Sequence, residues 1–348
     1  MKNSNITRNR LNYIDELKGF AILCVVIGHV MLFSLKSSDT SLCYHIITSF
    51  HMPLFAFLSG LMFKGKVGFK ATANKFCMQT VKLLIPFMTA GMTYSYLMLN
   101  SGGVKFLTNN AKFGYWYMLF LWMCYLLHHL SYMIYNVKLK GNNIRYIADI
   151  IWMILVVGLF KVVASKYEVL SNIAGATWMF RMYPFFLVGA LINRESLFGK
   201  IFGNDRQRWF DAAGVLYIIF LSLVMTVFSG RLSLTDAAAP FAIYAVVWLF
   251  YKYKNANNKI KALLEKMGKQ SLAIYLLHYF FVKSFCLSEL PSEFINNNQF
   301  LMSIFSIIVA TGICFICLLL SWLVRHNHIL SFLLLGNYTS GKEIKRNE

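Results

Sequence analysis

Charge is scarce in this chain, and acid is scarcer still. Of its 348 residues 14% are charged, with 14 Asp or Glu against 34 Lys or Arg. A soluble domain carries about 25% charged residues, so this sequence cannot cover an ordinary water-facing surface. The common signatures of a soluble enzyme site are missing too. There is no G-x-S-x-G elbow, no phosphate-cradling glycine loop, no Cys/His zinc pattern and no Glu-x-x-His pair. Cysteine forms no disulfide framework: most of Cys24, Cys43, Cys77, Cys124, Cys286, Cys314 and Cys317 lie inside apolar runs. The Cys314–Cys317 pair has C-x-x-C spacing but no second pair, so it reads as packing rather than as a metal or redox site. Internal repeats, low-complexity tracts and a separate soluble domain are also absent.

What is there is apolar. Hydrophobic residues make up 58% of the chain, and the mean hydropathy is +0.55. Ten runs reach or approach the length of about 20 residues that a membrane-spanning helix needs. They lie at about 18–35, 45–63, 78–99, 114–135, 146–164, 174–193, 210–229, 235–251, 270–288 and 300–323. The expected fold class is therefore all-α, a polytopic integral membrane protein of about ten transmembrane helices. A basic N-terminus with Lys2, Arg8 and Arg10 precedes the first run, which reads as a retained span rather than a cleaved signal.

The net charge of +20 forms no single patch, which argues against a nucleic-acid partner. With the N-terminus in the cytoplasm, 26 of the 34 basic residues fall on the inner side. The outer eight are Lys36, Lys105, Lys112, Lys161, Lys166, Arg181, Arg231 and Lys283. That asymmetry predicts both termini in the cytoplasm and a multi-pass protein of the inner or plasma membrane. Ile329–Leu335 is too short to span, so 324–348 reads as a cytoplasmic tail.

Ionisable groups inside apolar spans are costly and mark candidate sites. The stretch DELKGFAILCVVIGHVM holds Asp15, Glu16 and Lys18 at its mouth and His29 in its interior. At about 1.5 Å per residue, Lys18 and His29 stand roughly 16 Å apart along a helix, about half the hydrocarbon thickness. His29 is open to two readings, a functional base or a histidine hydrogen-bonded to a neighbouring helix. His51 enters the second span, with Pro53 and Gly60 beyond it. Lys75, Gln79 and Lys82 recur at helical spacing and would share a face at the cytoplasmic mouth, although snorkelling serves Lys75 equally well. Tyr115, Trp116 and Tyr117 read as an outer aromatic belt. Arg181 would either pair with a carboxylate, a carbonyl or an anionic substrate, or snorkel. Ser271, Tyr275 and His278 fall on one face of the ninth span, whereas His128 and His129 read as interfacial. A neutral intramembrane histidine suits general-base work on a hydroxyl.

LNYIDELKGFAILCVVIGH, FHMPLFAFLSG, VKLLIPF, YWYMLFLW, YPFFLVGALI and GKQSLAIYLLH occur in that order. Together they resemble the acyltransferase-3 family of multi-span bacterial membrane acyltransferases, many of which O-acetylate surface polysaccharides. The resemblance runs from about Leu11 to His278 and, as a ten-helix plan, to about Leu323. It implies a single transmembrane acyltransferase domain with its core at about 11–323. It also implies His29 as catalytic base, Lys18 at a position usually held by arginine and suited to the donor's phosphates, and Asp15 as the preceding acidic residue. His51 matches the second-span histidine, and His278 the late histidine in a supporting role. Two basic residues three apart are usual on the third span, where this chain has Gln79 and Lys82. A fused extracytoplasmic hydrolase-like domain, which some relatives carry, is absent.

The expected reaction moves an acyl group, most simply acetyl, from acyl-CoA to a hydroxyl of a cell-surface or lipid-linked glycan. Lys18, Lys82, Gln79, Arg181 and His278 would contact substrates, and His29, His51 and Asp15 would serve the chemistry. Acetyl-CoA is then a co-substrate with no tightly bound cofactor and no metal, and membrane lipid surrounds the body. A transporter or flippase of lipid-linked glycan is the alternative, since intramembrane His and Arg suit it; the two halves show no repeat to support it. A catalytically dead sensor of the same fold is a third.

Overall fold

The computed structural model describes residues 2–36, 41–64, 69–136, 139, 141–203, 205–226, 236–256, 258–284 and 298–336, with side chains from Asn12 onward except at 104, 135, 136, 142, 225 and 226. Arg231, Cys286, the ends of the seventh and ninth expected spans, and 337–348 lie outside them. Every described element is helical, and no strand occurs among the described residues. The chain divides into two compact units, one of 1–61 with 191–319 and one of 62–190 with 320–348.

Each of the ten expected spans falls on a helix. Six helical segments are long and apolar enough to cross a membrane: Asn12–Ser34, Leu42–Leu61, Trp116–Ile134, Asn143–Lys166, Gln207–Val224 and Gln299–Arg325. A seventh is a bent pair, Glu168–Ala174 and Ala176–Arg194, with 46° between the halves. Three further expected spans pass neither alone nor in a pair. Phe69–Leu99 is long, but lysine, threonine, serine and tyrosine dilute its apolarity. Ala239–Lys252 and Ser271–Val282 are short, at 14 and 12 residues. Twelve residues of helix reach only about 18 Å, against about 30 Å of hydrocarbon.

In the first unit, α1 (Lys2–His29) is the central strut. Leu17, Ala21, Ile22, Val26 and Val30 are completely buried along it. The helix runs on as a π turn over Val30–Ser34, in which Leu35 N–H bonds Val30 O at 3.0 Å. Such wider turns are often found at functional sites, and this one begins at the residue after His29. Against α1 pack α2 (Leu42–Leu61), α11 (Ala239–Lys252), α12 (Lys259–Lys269) and α13 (Ser271–Val282).

The closest approach is between α1 and α12, and two glycines permit it. A Cβ on Gly19 would stand 1.9 Å from Leu264 O, and one on Gly268 would stand 1.7 Å from Asp15 O. The polar stretch Lys259–Lys269 is thus a helix laid along the middle of α1, at Asp15–Gly19. Asn258 caps it by accepting from Lys261 N at 2.8 Å. The backbone departs from helical geometry at Gln270 (φ −115°, ψ 18°), and α13 then starts. At the far end Ser34 Oγ donates to Val282 O at 2.6 Å, tying α13 back to α1. Both ends of the α12–α13 arm are therefore fixed to the same strut.

The second unit is built on α3 (Phe69–Leu99), α5 (Trp116–Ser131), α8 (Ala176–Arg194) and α15 (His328–Leu335). Helix α15 docks on α3, where Thr89 Oγ1 donates to Leu333 O at 2.5 Å. Tyr115 and Tyr117 are core residues rather than a belt, at 0% and 8% exposure. Their aromatic faces are covered by neighbouring helices, which sequence alone does not reveal.

Candidate functional site

Within the first unit the structure gathers His29 and His278 and adds a residue that sequence reading did not single out. His29 Nδ1 lies 2.9 Å from His278 Nε2, and His29 Nε2 lies 2.9 Å from the Tyr279 hydroxyl. His278 Nδ1 lies 2.9 Å from Ile274 O.

Donor and acceptor roles follow from one fixed end. A carbonyl oxygen only accepts, so His278 Nδ1 carries a hydrogen and its Nε2, in the neutral ring, is an acceptor. His29 Nδ1 must then donate to it. That leaves His29 Nε2 as the lone-pair nitrogen, and the Tyr279 hydroxyl donates to it. The string reads Tyr279 O–H to His29, His29 N–H to His278, His278 N–H to Ile274 O. One carbonyl at one end thus fixes the tautomer of a histidine two bonds away.

Burial grades along the string. His278 is completely buried and Tyr279 is 3% exposed, whereas His29 is half-buried. The two imidazoles are near-parallel at 11°, with ring centroids 5.1 Å apart. Phe33 packs on His29 at 5.7 Å, and the Lys283 ammonium sits 5.0 Å over the Phe33 ring.

The other expected residues of this unit stand apart from the string. His51 donates from Nδ1 to Ile47 O at 2.8 Å on its own helix, which leaves Nε2 as its acceptor nitrogen. It lies within electrostatic reach of His29, but the bond to His29 Nδ1 is made by His278. Lys18 and Asp15 form a loose pair at 3.4 Å, each about one-fifth exposed. Glu16, named at the mouth of the first span but given no role there, is the buried acid of the two. It meets Lys261 at 3.2 Å, and Lys261 Nζ also donates to the carbonyls of Tyr253, Lys254 and Ala256 at 2.8–3.2 Å. A polar cavity of about 520 Å³ opens there, lined by Asn12, Glu16, Lys254, Lys261 and Glu265 among others. Two ammonium groups balance two carboxylates in its wall, so it is not an anion cradle.

In the second unit Gln79 Oε1 accepts from His129 Nε2 at 2.9 Å. His128 and His129 are buried at 5% and 3% exposure, with Phe63 against both rings at 4.5 and 4.9 Å. The aromatic cover buries both rings within the unit rather than leaving them at its surface. Lys75 lies over the same Phe63 ring at 5.1 Å and donates to Lys64 O. Lys82, at the same helical spacing on the continuous helix Phe69–Leu99, is exposed. The Arg181 guanidinium lies 5.5 Å over Trp178, which stacks on Trp116 at 4.0 Å.

The loop before α5 holds a buried lysine outside the spans. Lys112 Nζ donates to Leu107 O at 2.7 Å, to Asn109 O at 3.0 Å and to Asn172 O. Burial lowers its pKa to about 8. No cluster of three or more His, Cys, Asp or Glu able to hold a metal occurs among the described residues.

The acyltransferase domain of the acyltransferase-3 family matches residues 11–325. The chain belongs to that family, and the match takes in α1, the His29–His278–Tyr279 string and α14 (Gln299–Arg325). No curated protein and no solved structure matches the sequence. The protein is thus a multi-pass membrane member of an acyltransferase family.

Proposed function

We propose that the protein is an O-acetyltransferase of the plasma membrane, moving acetyl from acetyl-CoA to a hydroxyl of a surface or lipid-linked glycan. The observation that carries this reading is the pair of hydrogen bonds made by His29. Its Nδ1 hydrogen is committed to His278, so Nε2 is the base, half-buried and 2.9 Å from a hydroxyl already in place. A positioned base with an orienting partner is what acyl transfer to an alcohol requires.

In the simplest course, Nε2 takes the hydrogen of the attacking hydroxyl as its oxygen adds to the thioester carbonyl. The imidazolium so formed keeps its Nδ1–H on His278 and returns the proton to the leaving thiolate. His51, whose Nε2 is its acceptor nitrogen, tunes the field at His29 from within electrostatic reach. The asymmetry of basic residues favours ten spans with both termini cytoplasmic. On that topology Lys18 and Lys82, with Gln79, are on the donor side and offer charge to the CoA phosphates. Asp15 holds Lys18 in position, and Arg181 on the outer side attracts acidic acceptors.

The test is transfer by the purified protein from acetyl-labelled acetyl-CoA to lipid-linked oligosaccharide. Label in the oligosaccharide supports the reading. Full occupancy by both substrates with label left on CoA contradicts it.

A further inference from the structure

On the topology favoured above, the outer end of the second unit carries cations where few are expected. Five of the eight outer basic residues, Lys105, Lys112, Lys161, Lys166 and Arg181, belong to it. The segments that hold them, 100–113 and 161–181, contain one carboxylate, Glu168. Outer loops are ordinarily poor in Lys and Arg, so the surplus points to an anionic partner. The same end carries an aromatic shelf. Trp116 and Trp178 stack at 4.0 Å and 14°, and the Arg181 guanidinium lies 5.5 Å over Trp178. We propose that Trp116, Trp178 and Arg181 form a subsite for an acidic sugar of the acceptor glycan, the indoles packing on the sugar and Arg181 pairing with its carboxylate. The proposal deepens the acyl-transfer reading and rests on it for the fate of the bound sugar.

An interfacial belt does not account for these two tryptophans. Trp209 and Trp322 have the exposure of belt residues, at 62% and 57%. Trp116 and Trp178 are half-buried and meet each other instead. The Trp178 Nε1–H donates to Asn110 O at 3.2 Å, a carbonyl of the polar loop 109–111. A snorkelling arginine would extend toward the headgroups, whereas Arg181 is held over an indole.

The shelf is held rigidly. Lys112 is completely buried, and its Nζ donates to Leu107 O, Asn109 O and Asn172 O. Those bonds tie the loop that carries Asn110 to Glu168–Ala174, the helix leading into α8. Asn109 Oδ1 accepts from Phe113 N at 3.2 Å. Lys112 and Phe113 both sit at positive φ, 49° and 51°. That conformation is costly for a residue with a side chain, and it persists where the surroundings over-determine it, as at ligand clamps. Trp178 and Arg181 are three residues apart on α8 and so share a face. The chemistry suits an acidic sugar on both counts. The C–H groups of a sugar ring pack on electron-rich indole, and a guanidinium offers a planar fork of N–H donors that matches a carboxylate.

The experiment is equilibrium binding to the purified full chain in lipid nanodiscs, with no acyl donor present. The probes are an oligogalacturonate, the same oligosaccharide with its carboxylates reduced to alcohols, and a polyprenyl phosphate that carries no sugar. Wild type should bind the acidic oligosaccharide about tenfold or more tighter than the neutral one. Arg181→Gln should bring the two within about twofold of each other, and Arg181→Lys, which keeps the charge and loses the fork, should retain part of the preference. Trp178→Leu should weaken both. Each variant should elute as the wild type does from a sizing column. No binding, equal binding of the charged and neutral oligosaccharides by wild type, or a preference unchanged in Arg181→Gln overturns the subsite and leaves the transferase reading intact. Polyprenyl phosphate bound as tightly as the acidic oligosaccharide, with the same dependence on Arg181, also overturns it, in favour of a headgroup site. Charge-selective binding by a protein that fails the acetyl-transfer test above supports the subsite and removes the transferase reading.

Discussion

His278→Ala removes the acceptor for His29 Nδ1–H without touching the basic nitrogen. Two effects follow from the geometry. A buried imidazole N–H loses its partner, at a cost of about 1–3 kcal/mol. The ring is also released from the one tautomer that the Ile274–His278 bond enforces. If that cost falls on the transition state, where His29 carries the proton, at about 1.36 kcal/mol per decade kcat drops about 10- to 100-fold. The donor's KM should hold within about twofold, because Lys18 lies some 16 Å down the helix from His29. His278→Gln offers a side-chain carbonyl to the same N–H and should recover about a decade of the loss. The assay is acetyl transfer by purified variants across donor concentrations. An unchanged kcat in His278→Ala, or a raised KM with kcat intact, refutes the orienting role.

Three further outcomes are expected. Gly268→Ala drives a methyl group into Asp15 O and should cost about 1–3 kcal/mol or more, read as a lower unfolding midpoint in detergent; an unshifted midpoint argues against the α1–α12 crossing. Lys18→Ala should raise the KM for acetyl-CoA severalfold with kcat little altered, since a lost phosphate contact is a loss of ground-state binding. Lys112 is pushed down to about 8 from the ordinary 10.5 by burial, so between about pH 8 and 10.5 the folded chain binds fewer protons than the unfolded one. The stability of wild type relative to Lys112→Met should therefore grow as pH rises through that window, and midpoints measured across it check the sign.

The helices were legible in the sequence, and the site was legible in part. Apolar length placed each expected span on a helix, because a span must bury its backbone in one continuous run, although six of those helices, or seven with the bent pair, are long and apolar enough to cross. His29 stood out by depth, and His278 by sharing a face with Ser271 and Tyr275. Tyr279 did not, although it is the next residue after His278. A tyrosine in an aromatic-rich run looks like packing or belt until a partner 250 positions away is placed beside its hydroxyl. Glu16 was hidden for the same reason: its partner Lys261 comes from a stretch that reads as a polar loop, and only the Gly19 and Gly268 close approach makes that stretch a helix on α1. His128 and His129 sit where a span ends, so position alone marked them as interfacial. Phe63 and Gln79, which bury and bond them, belong to other elements of the second unit.

The most direct measurement compares surface glycans by mass spectrometry in cells bearing wild type, His29→Ala or no protein. The account predicts an added acetyl mass with wild type only, with His29→Ala present in the membrane at wild-type level. Acetylated glycan in cells carrying His29→Ala would contradict it.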